Sequence, residues 1–399
     1  MSPALPRAVD GRWTAGVLAG LLVLTPLLGW AGALGFAPAV ALAGLLTAPA
    51  LRVRIADRTL LLALFTALVW ACASVFWSPW RAPDLEGQTG LKLVFMLALY
   101  GSAVSAARAV SEAALKGLLK VLVAAVGLLS TILLVEALTD AAGYKALLGA
   151  FGQTVRPDYA VKNVAQGLYV LTLLAPPALV AARGRVRWAL AALALAGILL
   201  PASRFGYDAP VLAAAVAAAT ALLVWRFPAA GPRILGGLAA GGFLAAPLLL
   251  SSALALGLDA RLAPYLSESW MQRLGYWRKA VDWIWARPLP GWGLDASRAF
   301  GPGIRLHPHN AALQIWMELG LIGAVAAAIV WAAIFTGLSR PARSPAAAAS
   351  AAATAAYLVF GAVSFGVWQE WWLGLGALTA LACILVLRSR TIDLSSHSV

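Results

Sequence analysis

Two cysteines, three histidines and 16 acidic residues are all that 399 positions offer to a disulfide, a metal or an acid–base pair. Cys72 and Cys383 lie in apolar runs near opposite ends of the chain. They have no metal-ligand spacing and read as small buried side chains. No C-x-x-C, H-E-x-x-H or D-x-D occurs, so neither a protein-bound metal nor a cofactor is expected. Charge is scarce too. Asp, Glu, Lys and Arg make up 12% of the chain, where a soluble domain carries roughly 25%. Apolar residues fill the difference, at 62% with a mean hydropathy of +0.85. One interior cannot hold that many, so the solvent for most of them must be lipid.

A helix needs about 20 mostly apolar residues to cross a bilayer. Twelve stretches qualify, near 13–31, 34–51, 59–77, 89–107, 117–138, 164–182, 187–201, 209–225, 233–256, 311–338, 346–367 and 371–387. The chain is therefore expected to be an all-α integral membrane protein. Nine spans fill residues 1–256, a partly helical loop occupies 257–310, three spans fill 311–387, and a tail covers 388–399. The first span follows Arg7 and Arg12 as a signal peptide would, but eleven further spans favour an uncleaved anchor.

The linkers alternate in charge. Those with Arg7 and Arg12, "LRVRIADR", "ARAVSEAALKGLLK", "RGRVR", "WRFPAAGPR", "SRPARSP" and the tail hold 17 basic and 4 acidic residues; everything else holds 13 and 12. Excess Lys and Arg mark cytoplasmic loops, so both termini are expected in the cytoplasm. The net charge of +14 is then topological and requires no nucleic-acid partner.

Polar residues gather in three places on the other side. In the long loop, "SESWMQRLGYWRKAVDWIWARPLPGWG" reads as a helix capped by Ser269 with Gln272 and ended at Pro288. Trp270, Leu274, Trp277, Val281 and Trp285 form its apolar face, flanked by Arg273, Arg278 and Arg287. Interfacial anchoring would explain such a face. Arg278 has Asp282 within reach as a partner, and Arg287 suits a helix C-terminus. In "PASRFGYDAP", Arg204 either pairs with Asp208 or offers its guanidinium to phosphate oxygens. In "RLHPHNAALQIWMELGLIGA", Asn310, Gln314 and Glu318 share one helical stripe. That stripe should face the bundle rather than lipid, as a polar seam or a wet cavity. His309 stands at its mouth as a general base or orienting group, and Pro308 keeps His307 off the same face.

Two of these motifs resemble those of the O-antigen ligase and polymerase superfamily of bacterial envelope glycosyltransferases. "HPHNAALQIWMELGLIGA" is similar to its H-N-x-x-L-Q-x-x-x-E-x-G-x-x-G segment through His309, Asn310, Leu313, Gln314, Glu318, Gly320 and Gly323. "RLGYWRKAVDWIWARPLPGWG" is similar to R-x-x-x-W … P-x-x-G-x-G through Arg273, Trp277, Pro288, Gly291 and Gly293. "SRFG" stands where the family has S-R-G, with Phe205 in place of glycine. More loosely, "VKNVAQGL" resembles an N-x-x-A element ahead of the sixth span, through Asn163 with Lys162 beside it.

The resemblance implies a multi-span, GT-C-like fold in the bacterial inner membrane with its site facing the periplasm. The implied activity is metal-independent, inverting transfer of a glycan from undecaprenyl pyrophosphate. In a ligase the acceptor is lipid A–core; in a polymerase it is another lipid-linked repeat. The residues implied as catalytic are His309, Arg273 and Arg204. Arg278, Arg287, His307, Asn310, Lys162 and Asn163 would contact pyrophosphate or acceptor. A transporter is the alternative from another class, but it would carry its charges near midplane on an internal repeat, and none is visible.

Overall fold

The computed structural model describes residues 11–301 and 303–395. Arg7 and residues 396–399 of the tail lie outside the described residues. Among the described residues the fold is entirely helical, and twelve helical segments are long and apolar enough to cross a membrane. The protein is a multi-pass membrane protein. Six spans come first: α1 (Gly11–Ala31), α2 (Phe36–Thr47, extended by 3-10 turns to Ala33–Ala50), α3 (Arg58–Ser74), α4 (Thr89–Ala106), α5 (Glu112–Leu138) and, after the short α6 (Ala142–Ala150), α7 (Pro157–Ala181). Then come α8 (Gly184–Phe205), α9 (Asp208–Arg226) and α10 (Gly231–Ala255). The loop contributes α11 (Leu258–Leu262) and α12 (Glu268–Ala286), and the chain closes with α13 (Ala311–Thr336), α14 (Pro345–Val363) and α15 (Glu370–Ser395).

Burial orders these helices. α7 buries 72% of its most apolar window and α14 67%, whereas α3 and α10 bury 11% and 17%. The first two are therefore interior helices, and the last two present leucines such as Leu62 and Leu248 outward, where lipid solvates them. The largest core runs through α1, α2, α4, α5, α7, α8 and α15 around Phe36, Leu122, Leu168 and Leu171. A second core joins α10, α12 and α13 through Phe243, Ala280, Ile284 and Met317. There Trp316 Nε1 donates to the Phe243 carbonyl at 2.7 Å.

α12 is amphipathic as its sequence requires, burying Ala280, Val281 and Ile284. Its start differs from the expected box. Ser267 is extended (φ −66°, ψ 160°) and the helix begins at Glu268, which leaves Ser269 inside the first turn. There its Oγ accepts from Arg273 Nη1 at 2.7 Å instead of capping.

A larger departure lies within α13. The apolar run reads as one helix, yet Gly320 is left-handed in φ (φ 63°, ψ −158°) and breaks it. The break frees carbonyls, and other segments take them. Trp292 N–H donates to Met317 O at 2.9 Å, Gly293 N–H to Glu318 O at 2.7 Å and Trp70 Nε1 to Leu319 O at 2.8 Å. In return, Leu321 N–H donates to Pro288 O at 2.9 Å. Residues 288–293 are thus spliced into the middle of α13. A Cβ on Gly291 or on Gly320 would collide with the backbone of the other segment, so both positions require glycine.

Candidate functional site

Glu318 organises the end of the bundle that carries the long loop. Its side chain is fully buried. Oε1 accepts from Ser297 Oγ at 2.7 Å and from Gln314 Nε2 at 3.1 Å. Oε2 accepts from Asp295 N–H at 3.0 Å and from Trp368 Nε1 at 2.5 Å. Gln314 uses its own Oε1 to accept from Val367 N–H at 2.9 Å. One carboxylate and one amide therefore tie α13 to the loop and to the α14–α15 link. With four donors on it, the carboxylate is a structural anchor, as the seam reading of that stripe expected.

On this frame sits the histidine segment. Asn310 is the N-cap of α13, its Oδ1 accepting from Leu313 N–H at 3.0 Å. Trp277 of α12 fixes the residue before His309 by donating to Pro308 O at 2.9 Å. His309 itself adopts a left-handed backbone (φ 56°), as does Leu306 (φ 65°). Such conformations cost a bulky residue about 1–3 kcal/mol and gather at functional sites.

His309 Nδ1 lies 2.7 Å from the Ser364 carbonyl. A carbonyl only accepts, so Nδ1 carries the proton and Nε2 keeps its lone pair. Burial lowers the imidazole's pKa; the Ser364 bond opposes this, and the nearby Arg273 and Lys162 charges add to the lowering. At neutral pH the ring is therefore a neutral base stacked on Tyr276, with centroids 6.1 Å apart. Ser364 is held from the interior: Tyr169 of α7 packs edge-on against Phe365 and Phe360 at 4.6 and 4.7 Å.

His307 plays a different part. It is buried, and its Nδ1 accepts from the His309 backbone N–H at 3.2 Å. Burial first, then His309 and Arg298, push its pKa down to about 3. Its Nε2 meets the side-chain nitrogen of Gln369 at 3.3 Å, while Gln369 Oε1 is buried with no partner among the described residues. Turning that amide gives His307 Nε2–H an acceptor in Gln369 Oε1. His307 is thus a neutral brace for its neighbour.

The other expected residues divide. Arg273 comes to the site: its charge acts on His309 and on Tyr169, and its Nε is buried with no partner among the described residues. Lys162 comes as well. α7 begins at Pro157, so Lys162 and Asn163 lie inside its first two turns rather than ahead of the span. Arg204, Arg278 and Arg287 are engaged elsewhere. Arg204 pairs with Asp140 at 3.5 Å and not with Asp208, because the turn after α8 points Asp208 into the start of α9. Arg278 pairs with Asp259 of α11 and not with Asp282. Arg287 ends α12 and stacks over Trp292 at 4.9 Å. Ser364, Tyr276, Arg298 and Gln369 were not singled out in the sequence. Of these only Arg298 left a signal there, an i,i+3 spacing from Asp295 whose Oδ1 accepts from it at 3.1 Å.

Comparison with known proteins bears on the same stretch. Residues 189–328 match the family model described as O-antigen ligase, which takes in Arg204, Arg273, Trp277, Glu318 and His309. The resemblance drawn from the motifs is thereby shown. A candidate polysaccharide ligase of Rickettsia conorii is 27% identical over 118 residues, 26% of this chain and 29% of that protein. One of Rickettsia prowazekii is 29% identical over 115 residues, 25% of this chain and 28% of that protein. The aligned stretch thus spans less than a third of each relative.

Proposed function

We propose that this chain, similar over its residues 189–328 to O-antigen ligases, is a glycosyltransferase. In this reading it moves a glycan from undecaprenyl pyrophosphate to lipid A–core on the periplasmic face of the bacterial inner membrane. The observation that carries the reading is the state of His309. Its Nδ1–H is committed to the Ser364 carbonyl, so a free Nε2 lone pair remains beside two cations.

The step balances as an inverting displacement. The acceptor hydroxyl oxygen bonds to the anomeric carbon as the bond from that carbon to the pyrophosphate oxygen breaks. The electron pair leaves with the lipid pyrophosphate, and the hydroxyl proton passes to His309 Nε2. General-base help of this kind contributes about 10²–10⁴-fold. The developing phosphate charge falls to Arg273, whose buried Nε has no partner among the described residues, and to Lys162. A partly dehydrated setting strengthens both. Arg204 and Arg278, each more than half exposed and paired at the rim, are assigned to the approach of the anionic donor, with Arg287 and Asn163 flanking. His307 and Asn310 position His309.

The test is transfer by the purified chain between a defined undecaprenyl-pyrophosphate glycan and lipid A–core. Product containing both substrates is the expected result. Elongation of one carrier-linked repeat by another would make the protein a polymerase instead, and absence of transfer to either acceptor would refute the reading.

A further inference from the structure

Transfer between two lipids needs a place for the second sugar, and a separate cavity adjoins the histidine pair. It has a volume of about 400 Å³ and is lined by Thr89, Lys92, Arg298, Gln369, Glu370 and Trp371, among others. Gln369 is the shared wall, since its amide also meets His307 Nε2 at 3.3 Å. The His307 and His309 rings lie 4.2 Å apart, so the cavity begins two side chains from the neutral base.

The charges in this cavity are balanced. Lys92 Nζ donates to Glu370 Oε1 at 2.6 Å, and Arg298 Nε to Asp295 Oδ1 at 3.1 Å. A phosphate would have to displace a carboxylate from each cation. Hydroxyl groups need displace nothing, because each can donate to a carboxylate and accept from an ammonium or guanidinium at once. The Lys92–Glu370 pair is partly exposed, at 37% and 44% of its side chains, so it contributes little stability as a bridge and can reorganise around a ligand. One polar end of Gln369 also has no partner among the described residues whichever way its amide is turned, since His307 engages only the other. Trp371, also in the lining, supplies an apolar wall for a sugar ring.

Resting on the transferase reading above, we propose that this cavity is the acceptor subsite and holds an uncharged, hydroxyl-rich sugar of the acceptor glycan. The probe is core oligosaccharide freed from its lipid by mild acid, titrated calorimetrically into the full chain in detergent. Wild type is expected to bind it. Exchanging the pair (Lys92→Glu with Glu370→Lys) keeps an ion pair but reverses its donors and acceptors, and should weaken binding at least tenfold without moving the melting temperature. Arg298→Met leaves that pair intact and should weaken binding similarly, which covers the case in which the exchange variant does not fold. In the transfer assay both variants should raise KM for the acceptor and leave KM for the donor unchanged. No binding by wild type, or unweakened binding by the variants, overturns the proposal. Binding without transfer would overturn the transferase reading while leaving the subsite in place.

Discussion

His309 combines a fixed tautomer with a lowered pKa, and together these set a direction for pH dependence. The imidazole works only when neutral, and burial keeps its pKa below the ordinary histidine value of about 6.5. The transfer rate should therefore be level from pH 7 to 8 and fall only on the acid side, below that value. His309→Gln should lower kcat by about 10²–10⁴ and remove the acid limb; an unchanged profile would exclude proton transfer by this residue. Glu318→Ala tests the anchor. Ser297, Gln314, Trp368 and the Asp295 amide would all lose their acceptor. Removing one side of a buried network of this kind costs about 3–5 kcal/mol, visible as a large drop in melting temperature. At this scale the sequence was legible where chemistry is local. A histidine at the mouth of an apolar helix, and a carboxylate that had to face inward, both announced themselves. Ion partners did not, because Asp140 and Asp259 reach Arg204 and Arg278 from other segments, and no spacing encodes that approach.

Among the elements, α13 is the one whose pattern misled. Its hydropathy continues through Gly320, and nothing in a run of apolar residues marks a backbone break. The matched family pattern named Gly291, Gly293 and Gly320 without a reason. For Gly291 and Gly320 the reason is a joint between segments nearly thirty positions apart; for Gly293 it is the close approach of Ser74 and Ser78 at the end of α3. Gly320→Ala should fail twice, once on its positive φ and once on the backbone of Leu289 and Gly291. Gly241→Ala in α10 meets nothing within 4 Å and should be neutral or stabilising by up to about 1 kcal/mol. Thermal melts of the two variants, purified side by side, check the contrast. α12, by comparison, was readable in part: its proline end and Val281 follow from local pattern, but burial centres on Ala280, Val281 and Ile284 and leaves Trp285 exposed.

For the whole molecule, the twelve spans lay open in composition, but their arrangement did not. In lipid an outward face is as apolar as an inward one, so periodicity cannot separate interior α7 from peripheral α3 and α10. The charge bias of the linkers predicts an orientation that is testable directly. In a chain freed of Cys72 and Cys383, a cysteine at exposed Gln153 should react with a membrane-impermeant maleimide in intact spheroplasts. One at exposed Arg185 should react only after permeabilisation. The reverse pattern would invert the topology and move the histidine segment to the cytoplasmic face.

The splice in α13 also sets an order of assembly. A bare carbonyl in hydrocarbon costs several kcal/mol, yet Met317, Glu318 and Leu319 give theirs to Trp292, Gly293 and Trp70. All three donors are synthesised before the helix they serve. The broken conformation therefore becomes affordable only once α3 and the 288–293 turn are waiting at the right depth. α13 follows both in the chain and is bent where it meets them, with His309 at its mouth. The site is completed afterwards, when the α14–α15 link brings Ser364 to His309 Nδ1 and Trp368 to Glu318 Oε2.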